Sequence, residues 1–193
     1  MIKLKNTQDE FVFTKIIDDE EMNMKIINRI DMIADVMNHT TNVKADTTFA
    51  DILSYKEFQR LGDIVTEFSR ESSHELQKQH PNHLSRMNNI FWYDTYINSL
   101  ECSVMWGTRY KSGEVTIPHN HWPNVWAFTY YIDPPEASSG LYFTDSDYEL
   151  EIEHGMLVLF NGNMIHEVKP SKFDGYRYCV AGTVVSNPPQ KAL

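Results

Sequence analysis

Apolar residues fall at helical spacing in the first half of the chain and in short strand-like runs in the second, with the change near residue 85. Met22, Ile26, Ile30, Ile33 and Met37 recur every three or four positions behind Asp18-Asp-Glu-Glu21, an N-cap followed by acids that suit a helix N-terminus. This predicts an amphipathic helix whose apolar stripe packs on the rest of the domain. A second helix is predicted from about Ser54 to Gln79, with Phe58, Leu61, Val65 and Phe68 on one face and Glu57, Arg60, Glu67 and Arg70 on another. Pro81 stops it. His74, His80 and His83 lie on its polar end and just beyond, where solvent exposure is expected.

From Asn88 onward, aromatic and β-branched runs alternate with Gly, Pro, Asn and Asp, the pattern of an antiparallel sandwich or barrel. Predicted strands are Ile90–Ile97, Glu101–Tyr110, Glu114–Pro118, Trp126–Ile132, Gly140–Thr144, Tyr148–Ile152, Met156–Phe160, His166–Pro170 and Tyr176–Val184. Turns are expected at Lys111-Ser-Gly113, Asp133-Pro-Pro135, Ser138-Ser-Gly140 and Phe173-Asp-Gly175. No solenoid-period repeat occurs.

The chain has 193 residues and 41% apolar content, enough for one folded domain with a core, which argues against disorder. Its 27 acidic against 17 basic side chains give a net charge of −10, so no nucleic-acid partner is expected. No run is long and apolar enough for a membrane helix, and the N-terminus lacks a secretory h-region, so a cytoplasmic protein is expected. Cys102 and Cys179, without Cys-x-x-Cys spacing, read as buried thiols.

Chemistry concentrates in Pro118-His-Asn-His-Trp122 and in His166. Residues i and i+2 of a strand share a face, so His119 and His121 can offer two imidazoles to one metal. His166, after Gly155 and the Asn161-Gly-Asn163 turn, is the candidate third ligand. Three ligands leave coordination positions open, as a catalytic divalent site requires.

The elements Gly113-x5-His-x-His and Gly155-x5-Asn-x-Asn-x2-His resemble the two-part signature of the cupin superfamily. Pro123-Asn-Val-Trp-Ala127 lacks the acid that a simple cupin carries after its histidine pair. Over about residues 100 to 185 the chain is more similar to the 2-oxoglutarate and Fe(II)-dependent oxygenases, which place a basic residue about ten positions after the last histidine; Arg177 stands there. Strand alternation sets Arg177 and Cys179 on the face opposite Tyr176, Tyr178 and Val180. Tyr110 matches a tyrosine that shares the same carboxylate in several such oxygenases.

The resemblance implies an α+β, mainly β, double-stranded β-helix (a jelly-roll, cupin-like barrel) buttressed by N-terminal helices. Residues 1–85 would form the helical region packing on the barrel, 86–187 the metal-binding core and 188–193 a tail, all in a single domain. It further implies an Fe(II) and 2-oxoglutarate-dependent dioxygenase that hydroxylates a small-molecule or peptidyl substrate as a monomer or homodimer. His119, His121 and His166 would hold the metal, and Arg177 and Tyr110 the cosubstrate. Asn120, Trp122, Asn124 and Trp126 are candidate substrate contacts. His121 departs from the Asp or Glu usual at that position. One of His119 and His121 could therefore lie outside the ligand set, with Asp133 or Asp145 completing it. A cupin-type metalloenzyme without cosubstrate and a non-enzymatic β-sandwich module are the alternatives.

Overall fold

The computed structural model describes residues 2–3, 11–34, 42–49, 52–80 and 90–187. Short apolar runs pair into two antiparallel sheets. The larger has seven strands in the order β1-β2-β10-β7-β12-β5-β4, namely β1 (Ile2–Lys3), β2 (Phe11–Ile16), β10 (Met156–Asn161), β7 (Trp126–Tyr131), β12 (Arg177–Ser186), β5 (Leu100–Tyr110) and β4 (Asp46–Thr47). The smaller runs β3-β6-β11-β8-β9, with β3 (Val43–Lys44), β6 (Val115–His119), β11 (His166–Val168), β8 (Leu141–Phe143) and β9 (Tyr148–Leu150).

The front of the chain is not wholly helical. Phe11-Val-Phe-Thr-Lys-Ile16 pairs along β10, so the larger sheet begins with residues the sequence reading assigned to the helical region. At six residues the run is too short to stand out beside the 3.6-residue periodicity of the helices that follow it. The expected boundary at residue 85 lies outside the described residues.

Helix α1 (Glu20–Ile33) starts where the Asp-Glu cluster predicts: the Asp19 carboxylate accepts from the Met22 N–H at 2.9 Å. Its stripe buries Met22, Ile26 and Ile30; Met37 is outside the described residues. Helix α2 (Lys56–Gln79) buries Phe58, Leu61, Val65, Phe68 and Leu76. It ends at His80, whose N–H reaches the Leu76 carbonyl; Pro81 and His83 are outside the described residues. His74 and His80 are half-buried, and the His80 ring packs on Phe11 rather than standing in solvent.

The run expected as strand Ile90–Ile97 is helix α3 (Ile90–Asn98). The run is rich in aromatic residues but lacks the strict alternation of a half-buried strand, and eight residues fit either element.

The larger sheet is covered on both faces, which explains why Met156-Leu-Val-Leu-Phe160 is apolar throughout. Leu157, Leu159, Phe128 and Val180 meet the helices, while Val158, Phe160, Tyr131 and Cys179 face the smaller sheet. Gly155, just before β10, has φ +67°, and a Cβ there would stand 2.4 Å from the Ile17 carbonyl oxygen. Among the described residues, no helix is long and apolar enough to cross a membrane.

Candidate functional site

The inner space between the sheets receives every second residue of β5, β7 and β12. Cross-strand register sets Arg177 opposite Tyr110 and sets Cys179 opposite both Thr108 and Tyr131. The smaller sheet sets His166 directly opposite His119. A partly open cavity results, lined among others by Trp106, Thr108, Tyr110, Thr116, Thr129, Tyr131, the three histidines and Arg177.

His119 ends β6, but His121 lies past the strand in the following turn, so the shared-face argument holds only for the first of the pair. The turn nevertheless folds back. The His121 N–H donates to the Gly162 carbonyl at 2.7 Å and the Gly162 N–H to the Val125 carbonyl at 3.1 Å, locking the two histidine-bearing loops together. A Cβ on Gly162 would stand 2.1 Å from the Asn124 carbonyl oxygen, so this contact requires glycine.

The candidate ligand atoms of His119, His121 and His166 lie within 4.8 Å of one another. The Nδ1–H of His119 donates to the Ile117 carbonyl (2.9 Å) and that of His166 to the Met164 carbonyl (3.0 Å). Each bond leaves Nε2 as the free lone pair, the arrangement a metal ligand needs. Burial holds His119 below the ordinary imidazole range. Burial first, then the neighbouring His119, pushes His121 down to about 4 and His166 to about 3. The imidazoles are thus neutral at pH 7 and ready to ligate.

No carboxylate joins this cluster among the described residues. Asp133 is 75% exposed and meets His154, and Asp145 is exposed, so neither completes the set as the alternative reading required.

Arg177 is 1% exposed. Its Nη1 donates to the Ser139 carbonyl at 2.8 Å, and its guanidinium lies 4.4 Å from the centre of the Tyr110 ring. Among the described residues, Nε and Nη2 have no hydrogen-bond partner, and neither does the buried Tyr131 hydroxyl. The Tyr110 hydroxyl is 2.6 Å from that of Thr116, so it is Tyr131 that offers an uncommitted hydroxyl. Buried unpartnered donors of this kind call for an acceptor. A divalent ion and a carboxylate ligand therefore both fit the side chains present.

Trp126 is 2% exposed on the helix side, where its Nε1–H donates to Ser73 Oγ; it is a packing residue, not a wall of the cavity. Alternation defined two faces of β7 but not which one looked inward. Asn120 Oδ1 accepts from the Trp122 N–H, and Asn124 Nδ2 donates to the His121 carbonyl, so both amides brace the ligand loop. Trp122 follows His121 and is 74% exposed. The sequence reading passed over Tyr131, Ser139 and Trp106, whose ring centre lies 5.8 Å from that of His121. A tyrosine inside the apolar run Trp126–Tyr131 was the available signal for the first.

No family model matches the sequence, and no curated protein matches it. Solved structures do. A viral collagen prolyl hydroxylase from Paramecium bursaria Chlorella virus 1, as its 2OG complex, is 12% identical with a TM-score of 0.59, covering 89% of this chain and 94% of that one. A Pseudomonas putida prolyl-4-hydroxylase is 11% identical with a TM-score of 0.62, covering 91% and 92%. A prolyl hydroxylase in complex with a hypoxia inducible factor oxygen degradation domain peptide fragment, from Trichoplax adhaerens, is 13% identical with a TM-score of 0.55, covering 94% and 85%. The likeness is one of fold: the chain is a mainly β double-stranded β-helix carried with flanking helices.

Proposed function

We propose that the protein is a non-haem Fe(II) and 2-oxoglutarate-dependent dioxygenase acting as a hydroxylase. The observation that carries this reading is Arg177, a buried guanidinium with two nitrogens unpartnered among the described residues, in the same cavity as three convergent neutral imidazoles. In this reading His119, His121 and His166 hold the iron. Arg177 seats the far carboxylate of 2-oxoglutarate, with the Tyr131 hydroxyl as a further donor and Tyr110 stacked under the guanidinium. With dioxygen as oxidant, iron and cosubstrate would supply the chemistry that converts 2-oxoglutarate to succinate and carbon dioxide, one oxygen atom entering the succinate carboxylate and the other a substrate C–H bond.

The chain's own groups prepare that chemistry. Ser139 fixes one nitrogen of Arg177, so the remaining N–H groups are presented in a set plane suited to a carboxylate. The carbonyls of Ile117 and Met164 keep the proton of their histidines on Nδ1. Val43, Leu141 and Val168 line the cavity and exclude water, which strengthens each charged contact. Trp122 and Trp106 flank the ligand loop as substrate contacts. The similar prolyl hydroxylases make a peptidyl proline the first substrate class to screen, beside small molecules.

The test is anaerobic titration with Fe(II) and then 2-oxoglutarate, following the visible charge-transfer band of chelated iron. Arg177→Ala should weaken 2-oxoglutarate binding at least about thirtyfold, since it removes one partner of a buried charge pair. Metal binding without any 2-oxoglutarate-dependent band would overturn the reading in favour of a cupin-type metalloenzyme without cosubstrate.

A further inference from the structure

Among the described residues, the cavity that joins the three imidazoles to Arg177 has no acidic side chain in its lining. No carboxylate belongs to the histidine cluster, and Arg177 makes no ion pair among the described residues. The remaining ionisable groups add no negative charge. Burial pushes the Cys179 thiol up to about 11 and raises both Tyr110 and Tyr131, so all three stay neutral. Trp106, beside His121, is also uncharged.

On the oxygenase reading, on which this inference rests, the loaded cavity holds a divalent ion and one guanidinium against a dianionic cosubstrate. One positive charge is left over. A carboxylate in place of His121 would have cancelled it. Between apolar walls such as Val43, Leu141 and Val168, an uncompensated charge is costly and draws a counter-ion.

We propose that the cavity takes up one further monoanion beside His121, supplied as a carboxylate or similar group on the substrate or as a small free anion. The substrate is then an acid rather than a neutral molecule, or the site carries its own counter-ion. His121 acts here through its lack of charge.

Cobalt(II)-loaded protein, whose visible spectrum reports on the metal's ligands, tests this. After saturation with 2-oxoglutarate, it is titrated separately with formate, with N-acetylglycine and with formamide, the neutral counterpart of formate. The expectation is a spectral change with formate at millimolar concentration and none with formamide. A change with N-acetylglycine as well assigns the anion to a substrate carboxylate, and a change with formate alone assigns it to a free ion. His121→Asp should weaken formate binding by about tenfold to a hundredfold, the effect of one added negative charge at close range. Should that variant not fold by circular dichroism, the formate and formamide pair on the wild type decides. No response to either anion, equal responses to formate and formamide, or equal formate affinity in the variant would overturn the proposal. A cobalt spectrum that 2-oxoglutarate itself leaves unchanged would instead overturn the oxygenase reading beneath it.

Discussion

Tyr131 has a buried hydroxyl without a hydrogen-bond partner, an arrangement that burdens a fold unless a ligand uses it. Tyr131→Phe should therefore leave the stability of the ligand-free protein unchanged, or raise it by up to about 1 kcal/mol, while weakening 2-oxoglutarate binding. Urea denaturation and calorimetry measure the two effects; a stability loss above about 1 kcal/mol would mean the hydroxyl is bonded in the free protein. At this scale spacing along the chain singled out His119 and His166, and the family resemblance Arg177, and the structure brings all three to one cavity. Ser139, which steadies Arg177 across 38 positions, was not legible, because its role exists only once the loop after β7 meets β12. Trp126 misled for the related reason that alternation separates two faces without saying which one the helices cover.

At the scale of elements, α1 is held to the larger sheet by Met22, Ile26 and Ile30 and, at its N-terminus, by a polar tie. His154 Nε2 meets Glu20 of α1 at 2.7 Å, and its Nδ1 meets Asp133, just after β7, at 3.3 Å. Partial burial opposes protonation of His154, but the bonds to Asp133 and Glu20 outweigh it and raise its pKa above 6.5. Such a group stabilises fully below the unfolded value near 6.5, and its contribution fades as pH rises through the higher folded value. His154→Gln should thus lower stability by a few tenths of a kcal/mol at pH about 5.5 and have no effect near pH 9, as this exposed tie permits. Denaturation curves at the two pH values check it; an equal loss at both would assign His154 a packing role. The helices with strong periodicity and caps were legible as elements, whereas β2 and α3 depended on which surface each short apolar run found.

At the scale of the molecule, the histidine cluster joins β6, the loop after it and β11, so a bound metal should fasten the ligand loops to the smaller sheet. A divalent ion at a hundred times its dissociation constant should add about 2.7 kcal/mol, raising the melting temperature by roughly 5–10 °C. Chelation should reverse the shift and His166→Ala abolish it, as followed by calorimetric melting. A melting temperature indifferent to Fe(II), Co(II) and Ni(II) would leave a β-sandwich module without a metal. The sequence by itself determined the strand-rich class of the second half, the amphipathic helices and two of the elements that hold histidines. These follow from side-chain periodicity and from short-range spacing, which are local. Only the tertiary structure decided that β2 joins the larger sheet, that His121 reaches the cluster from a turn, that Tyr131 rather than Tyr110 keeps an uncommitted hydroxyl, and that none of the described acids enters the cavity. Those outcomes depend on which distant strands pair and on what each buried polar group then finds within reach, and neither is set by any one segment of the chain.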